Sequence, residues 1–304
     1  MLKCPHCQKG LSLTQPTFEN KEVYTGYLNC DCNQVWEIKE GIVDFRVEEQ
    51  ESVNRWSEIT KNMSFEELDE MILKETPKNQ QELSDKAIND IIRFINKSKP
   101  KLILDIATGR GMLLNELAKR INIELYLICT DLSYVVLNAD RLKIQKYNPK
   151  IKITYISCDA TRLPIVNNSF DLVLSFFGIA NMASLIKKGL SEAKRVLKND
   201  HYFLNTSVVI KEESKDYSIL KDYYLNNKSE GAEIFTLHEE IMKEYQNTGF
   251  KDVKFMLIGE SIGQKNELDL IPFEGEWFGI GNIYAKKQKE DKIEFKRKKK
   301  ENGK

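Results

Sequence analysis

Asp105, Asp131 and Asp159 each follow a short apolar run. The first acid ends Leu102-Ile103-Leu104 and leads into Ile106-Ala107-Thr108-Gly109-Arg110-Gly111. Met112, Leu113, Leu114 and Leu117 then open a helix. Gly109 and Gly111 lack the Cβ atoms that would hold a ligand away from the turn. The N-terminus of the following helix offers unpaired N–H groups to an anionic group such as a carboxylate. Asp131 can accept both hydroxyls of a ribose, and Asp159-Ala160 can recognise an adenine amino group. Three acids at successive strand ends describe a crevice for an adenosine-containing ligand at the carboxyl edge of a parallel sheet.

A second constellation is made of thiols. Cys4-x-x-Cys7 and Cys30-x-Cys32 supply four ligands on two turns, enough for a closed, tetrahedral and structural Zn²⁺ site. The second pair has a single intervening residue where two or more are usual. A segment of roughly 45 residues has little core of its own, so metal binding would supply much of its folding energy. His6 reads as a bystander inside the first turn, and a redox role for Cys4 and Cys7 lacks the fold context. Cys129 and Cys158 sit in apolar runs and read as buried hydrophobes rather than nucleophiles.

The elements that must position these groups follow from periodicity. Residues 1–46 are cysteine-rich, with β-like pieces at 23–28, 35–38 and 42–45. Residues 47–84 read as a linker or cap, with helical spacing from Ser64 to Leu73 and a break at Pro77. Ala87, Ile88, Ile91, Ile92 and Ile95 follow a helical repeat that Pro100 ends. Strands are expected at 102–106, 124–130, 151–157, 171–176 and 202–209, and helices at 112–120, 133–145, 184–197 and 237–247. Two closing strands, near 251–259 and 276–286, have no helix between them and read as an antiparallel hairpin. This alternation predicts an α/β fold: a doubly wound, mostly parallel sheet with helices on both faces. Residues 85–287 form that domain, and 288–304 a basic, disordered tail.

Two ligands compete for the crevice. A nicotinamide dinucleotide wants a third glycine where Leu114 stands, and its pyrophosphate would meet Asp105. S-adenosylmethionine brings an ammonium to that acid, together with a carboxylate, a ribose and an adenine. The ordered set of motifs resembles the class I S-adenosylmethionine-dependent methyltransferases over roughly residues 85–287. Asp105–Gly111 looks like the family's first motif, with Ala107 where glycine is commoner. Thr130-Asp131-Leu132-Ser133 looks like the ribose motif, and Cys158-Asp159-Ala160 with Leu163-Pro164 the adenine motif. Glu192-Ala193-Lys194-Arg195-Val196-Leu197-Lys198 looks like the helix before strand five, with Asn199-Asp200 replacing the usual glycines.

The resemblance implies a seven-stranded, Rossmann-like sheet whose last strand is antiparallel. It implies cofactor contacts from Asp105, Ala107, Thr108, Gly109 and Gly111 to the methionine part, and from Asp131 and Leu132 to the ribose. Asp159 and Ala160 would reach the adenine, with Ser175 and Phe176 as further contacts. The segment with Cys4, Cys7, Cys30 and Cys32, continued by Trp36 to Phe45, resembles the small zinc-ribbon domains fused to or partnered with methyltransferases.

Residues Ser175 to Met182 normally line the family's acceptor pocket and are mostly apolar here. They favour a hydrophobic or planar small molecule. A ribosomal RNA acceptor stays open through the ribbon and the run Lys296-Arg297-Lys298-Lys299-Lys300, either of which also offers a route to a protein partner. No catalytic residue is singled out. The insert at 211–233, with Tyr217, Tyr223 and Tyr224, reads as a lid or as a surface helix. A net charge of +0 over 304 residues excludes a global field for nucleic acid or anionic membrane. No apolar run reaches the ~20 residues of a membrane span. The N-terminus lacks the apolar core of a signal peptide, so a cytoplasmic location is expected. The competing functions are a non-catalytic S-adenosylmethionine-binding scaffold and, less favoured, a NAD-dependent oxidoreductase.

Overall fold

The computed structural model describes residues 1–46, 62–144, 150–210, 237–263 and 277–289, with 212, 217, 218, 221, 222 and 275. The central strands are β5 (Leu102–Ile106), β6 (Leu125–Asp131), β7 (Ile151–Ser157), β8 (Phe170–Phe176) and β9 (Leu197–Val209). The closing hairpin is β10 (Lys251–Ile262) with β11 (Trp277–Lys286). These seven strands run β7-β6-β5-β8-β9-β11-β10, with β5 to β9 parallel to one another and β11 antiparallel to both β9 and β10. The strand order reverses between β5 and β8, which opens a crevice at their carboxyl ends.

The cysteine segment extends this sheet. Strands β1 (Ser12–Glu19), β2 (Glu22–Asn29), β3 (Val35–Lys39) and β4 (Ile42–Asp44) form an antiparallel series. β4 then lies parallel to β7, pairing Ile42 with Tyr155 and Asp44 with Ser157, so that one sheet has 11 strands. β4 is buried on both sides: Ile42 packs into one face of the sheet and Val43 into the other. β1 is exposed along its length and contains Pro16, so it carries no alternating apolar signal by which a sequence pattern would reveal it.

Six α-helices are described: α1 (Phe65–Glu75), α2 (Lys78–Ser98), α3 (Met112–Arg120), α4 (Tyr134–Ile144), α5 (Ile186–Val196) and α6 (His238–Asn247). A capping box of Ser64 and Glu67 starts α1, satisfying two donors at its N-terminus. Pro77 precedes α2, which is longer than its isoleucine repeat suggests and begins inside the segment expected as linker. α2 ends where Lys99 turns left-handed before Pro100. The isoleucines of α2 and the leucines of α3 cover one face of the sheet. α5, α6 and the cysteine segment share the core on the other. Asp200 takes the left-handed conformation that glycine would supply at the start of the fifth parallel strand. Tyr223, Tyr224 and the run 296–300 lie outside the described residues. Among the described residues, no helix is long and apolar enough to cross a membrane.

Candidate functional site

The turn after β5 is stitched to the end of β6. Thr108 N–H donates to the Thr130 carbonyl (2.9 Å), and Thr130 Oγ1 donates back to the Asp105 carbonyl (3.0 Å). Gly109 N–H donates to Asp131 Oδ2 (2.9 Å), while Ser133 N–H donates to Asp131 Oδ1 (2.9 Å). These bonds orient the carboxylate.

Two residues of the turn are also constrained by the protein around them. Gly111 is left-handed (φ 68°), and a Cβ there would lie 2.7 Å from Asp140 Oδ1. A carboxylate on α4 therefore demands this glycine. Ala107 is also left-handed (φ 54°), a conformation that costs a residue with a Cβ about 1–2 kcal/mol. Its methyl fits because residue 178 has none; a Cβ on Gly178 would sit 2.7 Å from Ala107 Cβ. The departure from glycine at 107 thus has a partner in the loop after β8.

The site's charge is concentrated in buried acids. Asp105 is 1 % exposed, and among the described residues its Oδ1 has no hydrogen-bond partner. Burial pushes its pKa up to about 7; the Thr108 hydroxyl opposes that shift and the Asp131 charge adds to it. Asp140 is buried too, with Oδ2 unpartnered. Burial raises its pKa well above the ordinary range, with Lys143 opposing and Asp131, Asp69 and Asp105 reinforcing. Such a crevice favours a cationic group. Arg110, between the two glycines, pairs with Asp69 of α1 (2.5 Å), which also holds Lys143 of α4 (2.6 Å). Neither contact is visible in sequence spacing.

Asp159 follows β7 and caps a single 3₁₀ turn, Ala160–Arg162, accepting from Thr161 N–H (2.8 Å). The loop beyond it is clamped on two sides. Glu192 of α5 accepts from Leu163 N–H (2.7 Å). Arg195, paired with Glu192 (2.6 Å), donates to the Ile165 (2.6 Å) and Leu163 (3.0 Å) carbonyls. From the cysteine segment, Lys3 N–H donates to the Pro164 carbonyl (3.0 Å), and Val166 N–H to that of Met1 (3.0 Å). Arg162 Nη2 donates to the His6 carbonyl (3.0 Å). Glu192 and Arg195 stand three residues apart on one helix, a spacing that allows them to pair, but that spacing does not show the loop they hold.

Ser175 is buried, donating to the Ile106 carbonyl (3.0 Å) and accepting from Ile179 N–H (3.1 Å), so it staples β8 to β5. Leu132 and Phe176 are half-buried at the ends of β6 and β8, the two strands that flank β5. Phe176 meets Phe177 edge-on at 4.6 Å beside an apolar cluster containing Leu83, Val208, Tyr217 and Phe278. Tyr217 donates to Glu239 of α6 (3.0 Å).

Cys4, Cys7, Cys30 and Cys32 converge, with all four Sγ atoms within 4.8 Å of one another. Cys4 and Cys32 are 3.8 Å apart and Cys7 and Cys30 3.3 Å, close to the edge of about 3.8 Å expected for tetrahedral sulfurs around zinc. Burial raises the Cys4 thiol, but the backbone N–H groups of Cys7 and His6, and after them the buried Trp36 Nε1–H, outweigh it and favour the thiolate. A buried indole donor beside this sulfur suits a metal-bound thiolate. Cys129 and Cys158 are buried apart from this cluster, and burial raises both thiols.

Residues 103–200 match the family model described as a methyltransferase domain. A demethylmenaquinone methyltransferase of Porphyromonas gingivalis is 36% identical over 106 residues, covering 35% of this chain and 43% of that protein. A ubiquinone/menaquinone biosynthesis C-methyltransferase of Rickettsia typhi is 34% identical over 125 residues, covering 40% and 48%. The chain therefore spans less than half the length of these relatives. Among solved structures, Haemonchus contortus phosphoethanolamine N-methyltransferase 2, in complex with S-adenosyl-L-methionine, overlaps 62% of this chain and 49% of its own, at 20% identity and a TM-score of 0.42.

Proposed function

We propose that this chain carries a class I S-adenosylmethionine-dependent methyltransferase domain and transfers a methyl group from that cofactor to a hydrophobic, planar small molecule of the quinol type. The observation that carries the cofactor reading is Asp105: a buried acid with an unpartnered oxygen, beside a left-handed turn and at the switch in strand order. An ammonium would satisfy that oxygen, and the phosphates of a dinucleotide would be repelled by it. Asp131 would receive the ribose hydroxyls and Asp159 with Ala160 the adenine. Ala107, Thr108, Gly109 and Gly111 would pass close to the methionine part, with Leu132 and Phe176 lining the walls. When bound, S-adenosylmethionine supplies a methyl group already activated on a sulfonium. This chain's residues need then orient the acceptor in line and exclude water.

The acceptor class rests on two supports: the names of the relatives, and the apolar surround of Phe176 and Phe177. We assign zinc to the four cysteines as a structural ion. It would hold the two turns of the ribbon and take no part in transfer. The acceptor reading is tested by incubating the zinc-loaded protein and labelled S-adenosylmethionine with a reduced demethylmenaquinone analogue and, separately, with ribosomal RNA. Label in the quinol supports it; label in the RNA alone overturns it. Cofactor bound but never consumed across both acceptors would favour a scaffold.

A further inference from the structure

The cysteine cluster and the loop after β7 are separate in sequence and joined in space. Leu2 bridges Ile165, and the backbone bonds of Met1 and Lys3 fix Val166 and Pro164 on either side of it. Cys4 follows directly and packs in the same core as Leu163 and Ile165. His6, between two ligands of the cluster, presents its carbonyl to Arg162 at 3.0 Å. Arg162 ends the 3₁₀ turn that Asp159 caps. A metal on Cys4 and Cys7 would fix the residues between them, and with them the acceptor for Arg162. On the other edge, β4 and Phe45 hold β7 up to Ser157, two residues before Asp159; Phe45 N–H donates to the Ser157 carbonyl (2.8 Å).

We propose that metal occupancy of the cysteine cluster sets cofactor affinity through the adenine loop, with Arg162 as a positioning residue between the two. This rests on the cofactor reading above. The metal-bearing segment is thereby part of the cofactor site's wall, because it supplies both the neighbouring strand and one jaw of the loop clamp. Glu192 and Arg195 supply the other jaw, so removing the metal loosens the loop without abolishing it. Coupling between two binding sites is reciprocal, so cofactor tightens the metal by the same factor that metal tightens cofactor.

The experiment is a binding cycle on the full chain, with Zn²⁺ and S-adenosylhomocysteine as probes. Titration calorimetry gives the affinity for S-adenosylhomocysteine with zinc bound and after chelation. Competition with a chromogenic chelator gives the zinc affinity with and without S-adenosylhomocysteine. We expect chelation to weaken S-adenosylhomocysteine by about five- to ten-fold, and S-adenosylhomocysteine to tighten zinc by the same factor. Arg162→Ala, with zinc content and thermal midpoint unchanged, should lose much of that affinity and show a smaller further loss on chelation; Arg162→Lys should recover part of it. S-inosylhomocysteine, which lacks the adenine amino group, should show a smaller zinc dependence. Equal S-adenosylhomocysteine affinity with and without zinc, together with zinc affinity indifferent to S-adenosylhomocysteine, overturns the coupling while leaving the cofactor reading intact. Absence of S-adenosylhomocysteine binding in the zinc-loaded protein sinks both.

Discussion

The two ends of the candidate cofactor crevice are built by different means. The end at Asp105 is local: a strand, a left-handed turn and a helix within residues 102–120, tuned by buried carboxyls. The end at Asp159 is assembled at long range, from a loop gripped by α5 on one side and by the first six residues on the other. The first end should respond to changes in charge and backbone geometry. The second should respond to whatever orders its clamps.

The largest break in this contrast is expected at Gly111. Gly111→Ala adds a left-handed strain and a Cβ 2.7 Å from Asp140 Oδ1, which should cost about 3 kcal/mol of stability by denaturant titration. Pairing it with Asp140→Ala should return roughly half, because the clash goes and the strain stays; no recovery would mean that Asp140 is not what demands the glycine.

Asp105→Asn comes next. It keeps the shape and removes the charge, so S-adenosylmethionine affinity should fall by about 2 kcal/mol, or roughly thirty-fold, in calorimetry at pH 8. Stability at that pH should hold or rise, since a buried charge is removed.

A third effect is on pH dependence. The folded pKa of Asp105 is raised from 3.8 to about 7, above its unfolded value, so the native state binds more protons between those values. Stability from this group should fall as pH rises from about 4 to about 7 and level off above. Denaturation midpoints across that range should show the slope in the wild type and a shallower one in Asp105→Asn.

The smallest effect sharpens the comparison at the strained turn. Ala107→Gly relieves the left-handed alanine and should stabilise by up to about 1 kcal/mol. Gly178→Ala alone should destabilise, and Ala107→Gly should recover only the part owed to the two methyls, because the Ala107 and Ile106 carbonyls still crowd the new Cβ at 2.8 and 2.9 Å. Additive effects in that thermal-melt cycle would remove the proposed partnership.

Much of the local end was legible in the sequence. Apolar runs ending in acids located the strand ends, and helical repeats located α2, α3 and α5. What spacing leaves invisible is the third dimension of the turn. Gly111 reads as a close approach to a ligand, and the spacing does not show that Asp140 also leaves no room for a Cβ there; Ala107 reads as a tolerable methyl and is matched by Gly178. The four cysteines were legible as a ligand set because spacing and residue type suffice for it. That β4 continues the sheet of β7 was not, since a three-residue strand with one buried residue on each face carries no periodicity. The clamp of Glu192 and Arg195 looked like a helix motif until its target loop was in place.

Calorimetric titration of the zinc-loaded protein with S-adenosylmethionine, at pH 6 and pH 8 in buffers of different ionisation enthalpy, is the most direct test. One-to-one binding is predicted at both pH values, with a proton released at pH 6 as the ammonium ionises Asp105, and no release at pH 8 or in Asp105→Asn. Absence of binding, or binding whose proton release at pH 6 survives Asp105→Asn, would contradict the placement of the cofactor at this acid.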